Sequence, residues 1–324
     1  MTLVLIPRIL AIVGPTAVGK TAVSLEVARR LDAEIISCDS MQVYRHMPVL
    51  SQAPALEQRA QVPHHLIDCV EPTENFSAGQ YRTLARTAIQ DVLNRGKRAL
   101  IVGGTGLYLK ALSAGMCEAP PCDHEVRKRL WLECESRGAA VLYERLLGID
   151  RAAAAKIHPN DAKRIIRAIE VFVVSGRSLS NWWTDSQEST QPLPIAVIGL
   201  ARERQELCAR IAERQLDMIF EQDVIAEARA VLSLSLSLTA RQVHGLPDIE
   251  QHLQRKISLK EMIAVWQARV RQYAKRQMTW FRHIEGIRWV HSAAEETSET
   301  TAARALELAE KMQAEPVHTA TWSN

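Results

Sequence analysis

The run Gly14-Pro15-Thr16-Ala17-Val18-Gly19-Lys20-Thr21 has the residue types and spacing of a phosphate-binding loop: a glycine, four residues, then Gly-Lys-Thr. Each part has a physical task. Glycines let successive backbone N–H groups turn toward phosphate oxygens, and a helix that begins here adds its positive end. Lys20 adds a full charge, and the Thr21 hydroxyl is the group that would meet a Mg²⁺ ion. Such a loop takes a diphosphate or a triphosphate and does not choose between them. Asp39 follows a second apolar run, at the edge where α/β sheets place their ligands, so its carboxylate could accept a proton or hold a metal through water. Asp39-Ser40 is equally an ordinary helix N-cap pair. Gly103-Gly104-Thr105-Gly106 repeats the strand-to-glycine turn and offers backbone groups and a hydroxyl to phosphate or substrate. Leu66-Ile67-Asp68 is too short an apolar run for a Walker B strand, and Asp68 is read as structural.

Two basic segments remain. Lys163-Arg164-Ile165-Ile166-Arg167 presents three cations over little more than one helical turn. The second, Arg269 to Arg282, interleaves Arg269, Arg271, Lys275, Arg276 and Arg282 with Trp266, Tyr273, Trp280 and Phe281. Its apolar positions Ile263, Trp266, Val270, Tyr273 and Ala274 have helical spacing, which assigns the aromatics to a core and leaves the cations for phosphates. From Arg241 to Arg288 there are ten Lys/Arg against four Asp/Glu, although the whole chain carries only +3. That asymmetry suits a polyanionic partner; a solvated helix face is the alternative.

The elements that must position these groups follow from periodicity. Ile9–Val13, Glu34–Cys38, Arg98–Val102 and Pro194–Leu200 read as short buried strands, and Thr21–Leu31 and Ser77–Arg95 as helices between them. Alternation of this kind predicts an α/β fold with a parallel sheet. After Pro120-Pro121 the pattern is helical through Ser175, which predicts a helical insertion over 119–190 within a core made of 1–118 plus 191–324. The Ser/Leu alternation of Ser233–Leu238 is assignable to neither period, and the acidic, Ala-rich tail beyond His291 reads as a helix with a frayed end. The six scattered cysteines lack zinc or disulfide spacing and fit a reducing cytoplasm. The apolar start, broken by Pro7 and Arg8, is neither a signal peptide nor a membrane span.

Six ordered blocks give the pattern a closer match: residues 14–21, Asp-Ser-Met-Gln-Val-Tyr-Arg (39–45), Pro-His-His-Leu-Ile-Asp (63–68), Gly-Gly-Thr-Gly-Leu-Tyr (103–108), His-Pro-Asn-Asp (158–161) and Tyr-Ala-Lys-Arg-Gln-Met-Thr-Trp (273–280). Together they resemble the tRNA dimethylallyltransferase (IPP transferase) family, nearly end to end. The resemblance implies a P-loop NTPase-like core, Mg²⁺ as the metal, and transfer of a dimethylallyl group from dimethylallyl diphosphate to N6 of adenosine 37 beside the anticodon. It places diphosphate binding on Gly14, Pro15, Thr16, Ala17, Val18, Gly19, Lys20 and Thr21, with Thr21 as the metal contact. Asp39 becomes the proton acceptor, with Lys20 and Thr105 in the catalytic set. It puts contact with the tRNA anticodon stem-loop at Asp39, Ser40, Met41, Gln42, Thr105, Arg127, Lys163, Arg164, Ile165, Ile166 and Arg167. It further implies a cytoplasmic, bacterial-type enzyme without the eukaryotic zinc finger, and nothing suggests an obligate dimer. The match weakens over 222–249: Asp223-Val224 stands where the family has Gly-Phe or Gly-Leu, and Gly245-Leu246-Pro247-Asp248 replaces a Gly-Tyr-Arg/Lys segment. Contacts near Gln242 to Pro247 are therefore open. An adenylate isopentenyltransferase, a P-loop small-molecule kinase and an RNA-binding protein with a vestigial loop are the rival readings, and the intact Lys20, Thr21 and Asp39 count against the last.

Overall fold

The computed structural model describes residues 9–117, 119–189 and 192–314. The chain divides into two compact units, one formed by Met1–Ala114 and Pro192–Asn324, the other by Gly115–Gln191.

The first unit begins β1 (Ile9–Val13), α1 (Lys20–Leu31), β2 (Ala33–Ser37), α2 (Leu56–Gln61), β3 (His64–His65), α3 (Ala78–Asn94), β4 (Arg98–Gly103) and α4 (Gly106–Ser113). The second unit contributes α5 (His124–Arg137), α6 (Ala139–Ile149), α7 (Arg151–Ala154), α8 (Ala162–Ser175) and α9 (Leu179–Ser189). The first unit resumes with β5 (Ala196–Ala201), α10 (Arg204–Phe220), α11 (Val224–Leu232), α12 (Leu246–Leu253), α13 (Leu259–Phe281), β6 (Arg288–His291) and α14 (Ser298–Ala314).

The strands form one sheet in the order β3-β2-β4-β1-β5-β6, parallel throughout. Every residue of β1 and β2 is buried. A parallel strand covered on both faces needs a continuous apolar run, and Ile9-Leu10-Ala11-Ile12-Val13 supplies one. Central β1 pairs with β4 on one side (Leu10 opposite Leu100) and β5 on the other (Leu10 opposite Ala196). The loop after β1 thus leaves the sheet at its carboxyl edge between two neighbours, where such sheets bind ligands.

Several expectations shift, among them the strand expected over Pro194–Leu200, which runs Ala196–Ala201. The second strand starts one residue earlier than expected, at Ala33, although the Cys38 N–H still donates to Val102 O at 2.7 Å. The edge strands β3 and β6, two and four residues long, add to the expected set and carry no readable period in the sequence. Ser233–Leu238 forms no strand: α11 ends at Leu232 and the chain runs on to a single 3-10 turn over Ala240–Gln242, with the Ser237 N–H donating to Pro72 O. Asp68 accepts from Arg59 at 2.6 Å, an ion pair that ties down a surface turn.

Helix α13 buries Met262, Trp266, Val270, Ala274, Gln277 and Phe281, a stripe at steps of three and four, and starts with a Ser258–Glu261 capping box. Trp266 and Phe281 are therefore core, as their spacing suggested, and Arg271, Lys275, Arg276 and Arg282 lie on the exposed face. In the second unit, Ile165, Ile166 and Ile169 of α8 pack with Leu142, Leu146 and Leu130 in a separate apolar core. No helix among the described residues is long and apolar enough to cross a membrane.

Candidate active site

The loop between β1 and α1 closes on itself, with the Val18 N–H donating to Pro15 O. Gly19 caps α1 at φ +105°, a conformation that glycine adopts without a Cβ clash, and no side chain caps the helix. The first N–H groups of α1 are thus available to an anion. Lys20 Nζ donates to Gly14 O at 3.0 Å and Pro15 O at 2.9 Å. Burial lowers the Lys20 pKa to about 8, a shift that the nearby Asp39 carboxylate partly offsets.

Asp39 sits two residues past β2, where Oδ1 accepts from the Met41 N–H at 2.9 Å. The side chain is therefore a local cap, and it also lines a cavity of about 610 Å³ with Thr16, Lys20 and Thr21. The helix N-cap reading of Asp39 does not hold, because no helix follows it and the carboxylate caps a turn instead; its place at the strand end beside the cavity is where the sequence put it. Thr105 braces this turn from β4: its Oγ1 accepts from the Ser40 N–H at 3.0 Å, and its own N–H donates to Cys38 O at 3.1 Å. Met41 and Gln42 line the cavity too, and Gln42 Nε2 donates to Gln52 O at 3.2 Å.

More of the wall comes from α10 and α13, nearly two hundred or more residues along the chain. Arg214 donates to Thr16 Oγ1 at 2.5 Å and Arg210 Nε to Ala17 O at 2.9 Å, and both line the cavity. Arg202 Nε holds Val18 O at 3.0 Å. Burial pulls the Arg214 pKa down to about 10, with Arg210 adding to the shift. From α13, Gln277 bridges two loops: Oε1 accepts from the Thr16 N–H at 2.9 Å, and Nε2 donates to Gly104 O at 2.9 Å. A Cβ at Gly104 would lie 2.2 Å from Gln277 Nε2, so a side chain there would displace the amide from its bridge. Tyr273 and His244 pack ring against ring at 4.1 Å and line the same cavity. Burial lowers the His244 pKa, partly offset by Asp39, so its ring is held neutral.

Arg210, Arg214, Gln277, Tyr273 and His244 are the site residues that the sequence did not single out for chemistry. Gln277 lay inside the 273–280 block without an assigned role, and Tyr273, expected in the core from its helical spacing, instead lines the cavity; Arg210 and Arg214 sit on α10 at a spacing that any solvated helix face shows.

The rest of the expected RNA contacts belong to the second unit. Lys163 and Arg164 are exposed, and Arg164 pairs with Asp161 at 3.3 Å. Ile165 and Ile166 are interior, at 0% and 1% exposure, so their side chains serve the unit's core instead of an outside surface. Arg127 and Arg167 are partly exposed and both bind the buried Glu170. Near Gln242 to Pro247, Leu246 is buried, and Asp248 forms an ion pair with Arg269 at 2.7 Å.

A parallel sheet whose central strand runs into the Gly14–Thr21 loop and the helix after it, with Asp39 just past the end of β2 and three arginines around the loop, defines a class: α/β proteins with a P-loop-like fold. Within that class, the sequence model of the IPP transferase family matches residues 42–284, and the chain belongs to that family. It is 41% identical over 285 residues to a tRNA dimethylallyltransferase of Geobacter metallireducens, covering 87% of this chain and 92% of that protein. A tRNA dimethylallyltransferase of Syntrophobacter fumaroxidans is 43% identical over 287 residues, 88% of this chain and 84% of that one. Among solved structures, a tRNA isopentenylpyrophosphate transferase from Bacillus halodurans superposes with a TM-score of 0.67 at 35% identity, over 95% of this chain and 99% of its own. A eukaryotic dimethylallyltransferase described as acting on tRNA gives a TM-score of 0.79 at 26% identity, over 95% and 80%.

Proposed function

We propose that the protein transfers the dimethylallyl group of dimethylallyl diphosphate to N6 of adenosine 37 in tRNA, beside the anticodon, and releases diphosphate. The observation that carries this reading is one cavity that holds the glycine loop, the cations Lys20, Arg210 and Arg214 and a carboxylate together, walled by Tyr273, His244 and Val270. The N6 lone pair is delocalised into the purine and needs a strong electrophile. As it attacks the terminal allylic carbon, the carbon–oxygen bond breaks and its electron pair leaves on the diphosphate. Loop amides, Lys20, Arg210 and Arg214 would stabilise that developing charge, which is where preorganised donors act most strongly. The N6 proton passes to Asp39. The Tyr273 face, beside a neutral His244, suits the positive character that builds on the allyl group.

Thr21 lines the cavity with a hydroxyl, a hard oxygen donor of the kind that Mg²⁺ accepts when waters and phosphate oxygens complete its shell, and Asp39 would hold the ion only through one of those waters. Bound there, Mg²⁺ would neutralise diphosphate charge. Thr105 acts by fixing the turn that carries Asp39. An adenine stacked within a loop cannot reach this chamber, so the acceptor base is turned out of its stack. The second unit, through exposed Lys163 and Arg164 and the partly exposed Arg127 and Arg167, supplies phosphate contacts to the anticodon stem-loop. We propose further that the enzyme works in the cytoplasm as a monomer.

The test is a crossed assay of the whole protein with labelled dimethylallyl diphosphate or ATP as donor and tRNA or AMP as acceptor. Label from dimethylallyl diphosphate entering tRNA is the expected result. Transfer to AMP alone, or consumption of ATP with a small acceptor, would replace this reading.

A further inference from the structure

Glu170, on α8 of the second unit, is completely buried, and none of the chemistry above uses it. Several donors converge on its carboxylate. Oε2 accepts from Arg127 at 2.6 Å and from Arg167 at 2.8 Å, and Oε1 accepts from the Asp123 N–H at 2.9 Å. Arg167 also donates to Pro120 O at 2.5 Å. Burial pushes the Glu170 carboxyl up, but hydrogen bonds from Arg127 and Arg167, then from the Cys122 thiol, outweigh it and hold the group below the usual range. The cluster is thus two cations on one ionised anion, with a positive charge in excess.

Packing alone does not require that arrangement. The Arg127 and Arg167 side chains keep 34% and 32% of their surface exposed, so the cations lie at the boundary while the anion lies inside. A guanidinium carries five N–H donors in a rigid fork, and Glu170 and Pro120 engage only some of them. Because both forks meet one carboxylate oxygen, their nitrogens are close enough to act on a single phosphodiester. An unsupported surface arginine would give up rotamer freedom on binding; these two are already fixed.

We infer that Glu170 is a positioning residue for tRNA, holding Arg127 and Arg167 together as a preformed two-pronged clamp for one backbone phosphate. The inference rests on the reading of tRNA as substrate and assigns to the anion a role opposite to its charge. That opposition makes a sign test. If Glu170 acted only through its field, removing a negative charge beside a polyanion would tighten binding; if it positions the forks, removal weakens binding although the protein becomes more positive.

The experiment compares the parent with Glu170→Gln and Arg127→Lys, each as the full chain, measuring tRNA affinity against salt, together with kcat and both KM values. Glu170→Gln is expected to raise the Kd and KM for tRNA by roughly 10-fold, because the geometry held by charge is gone. The log-log salt slope should flatten by about 0.7 to 0.9 for each phosphate that the variant no longer neutralises. The kcat at saturating tRNA and the KM for dimethylallyl diphosphate stay within about two-fold, a split that general misfolding would not produce. Arg127→Lys keeps the charge but not the fork and should weaken tRNA binding in the same direction, so the test survives if Glu170→Gln does not fold. Unchanged or tighter tRNA binding in either folded variant overturns the clamp. Absence of transfer to tRNA by the parent would instead overturn the functional reading.

Discussion

Asp39 has a structural contact and, in the proposed reaction, a chemical demand on the same carboxylate. Its Oδ1 caps the turn through Met41 while the group lines the cavity opposite Lys20. Asparagine keeps an acceptor for the Met41 N–H but cannot take a proton. Asp39→Asn is therefore expected to lower the transfer rate by roughly 10²- to 10⁴-fold while tRNA affinity stays within a few-fold; an active variant would move the base elsewhere. Lys20 gives a second residue-scale prediction, in pH. Burial lowers its pKa to about 8, so in the free enzyme the charge that meets diphosphate is present below that pH and lost above it. The kcat/KM for dimethylallyl diphosphate should fall as pH rises through about 8. The limb in kcat should lie higher, because bound diphosphate favours the ammonium form. In Lys20→Arg, whose cation does not titrate in this range, whatever activity remains should lack that limb; its persistence at the same pH would assign it to another group.

At the scale of elements, the loop and its helix were legible because local chemistry dictates them: glycines for the turn, a β-branched run before it, helical spacing after it. Strands β1, β2, β4 and β5 were legible from their apolar runs. Strands β3 and β6 were not, since two or four residues at a sheet edge carry too little periodicity to separate from loop. The far wall of the site was hidden for another reason. Arg214 reaches Thr16 across 198 positions and Gln277 reaches it across 261, and only the fold brings them together. In sequence, Gln277 is one polar residue on a basic helix; in the structure it is buried and joins α13 to both glycine turns. Gln277→Leu orphans the Thr16 N–H and the Gly104 carbonyl, at a cost of about 1–3 kcal/mol for each group that water does not reach. A lower melting temperature and a raised KM for dimethylallyl diphosphate are the expected readouts. Gly104→Ala pushes on the same amide, so its effect should shrink in a Gln277→Ala background. Simple additivity in that double-mutant cycle would show that the two positions do not communicate.

For the molecule as a whole, the proposed roles fall to different units along the chain. The phosphate loop, Asp39 and the arginines of α10 all lie in the first unit, while Lys163, Arg164, Arg127 and Arg167 lie in the second. A net charge of only +3 hides this partition, because attraction to a polyanion depends on where the cations stand and not on their sum. If the partition is functional, variants in the two units should perturb different quantities. Lys163→Ala combined with Arg164→Ala removes two exposed cations next to, but outside, the buried stripe of Ile165, Ile166 and Ile169, so stability should change little. A protein that neutralises fewer phosphates releases fewer counterions on binding, and the log-log dependence of tRNA affinity on salt should flatten by about 0.7 to 0.9 per phosphate. The KM for dimethylallyl diphosphate and the kcat at saturating tRNA should remain near the parent values. Lys20→Ala should do the reverse, abolishing turnover with the tRNA salt slope unchanged. A double variant that binds tRNA with the parent's slope would make this stretch of α8 a merely solvated face, and the contacts would then have to be sought among Arg271, Lys275, Arg276 and Arg282 on the exposed side of α13.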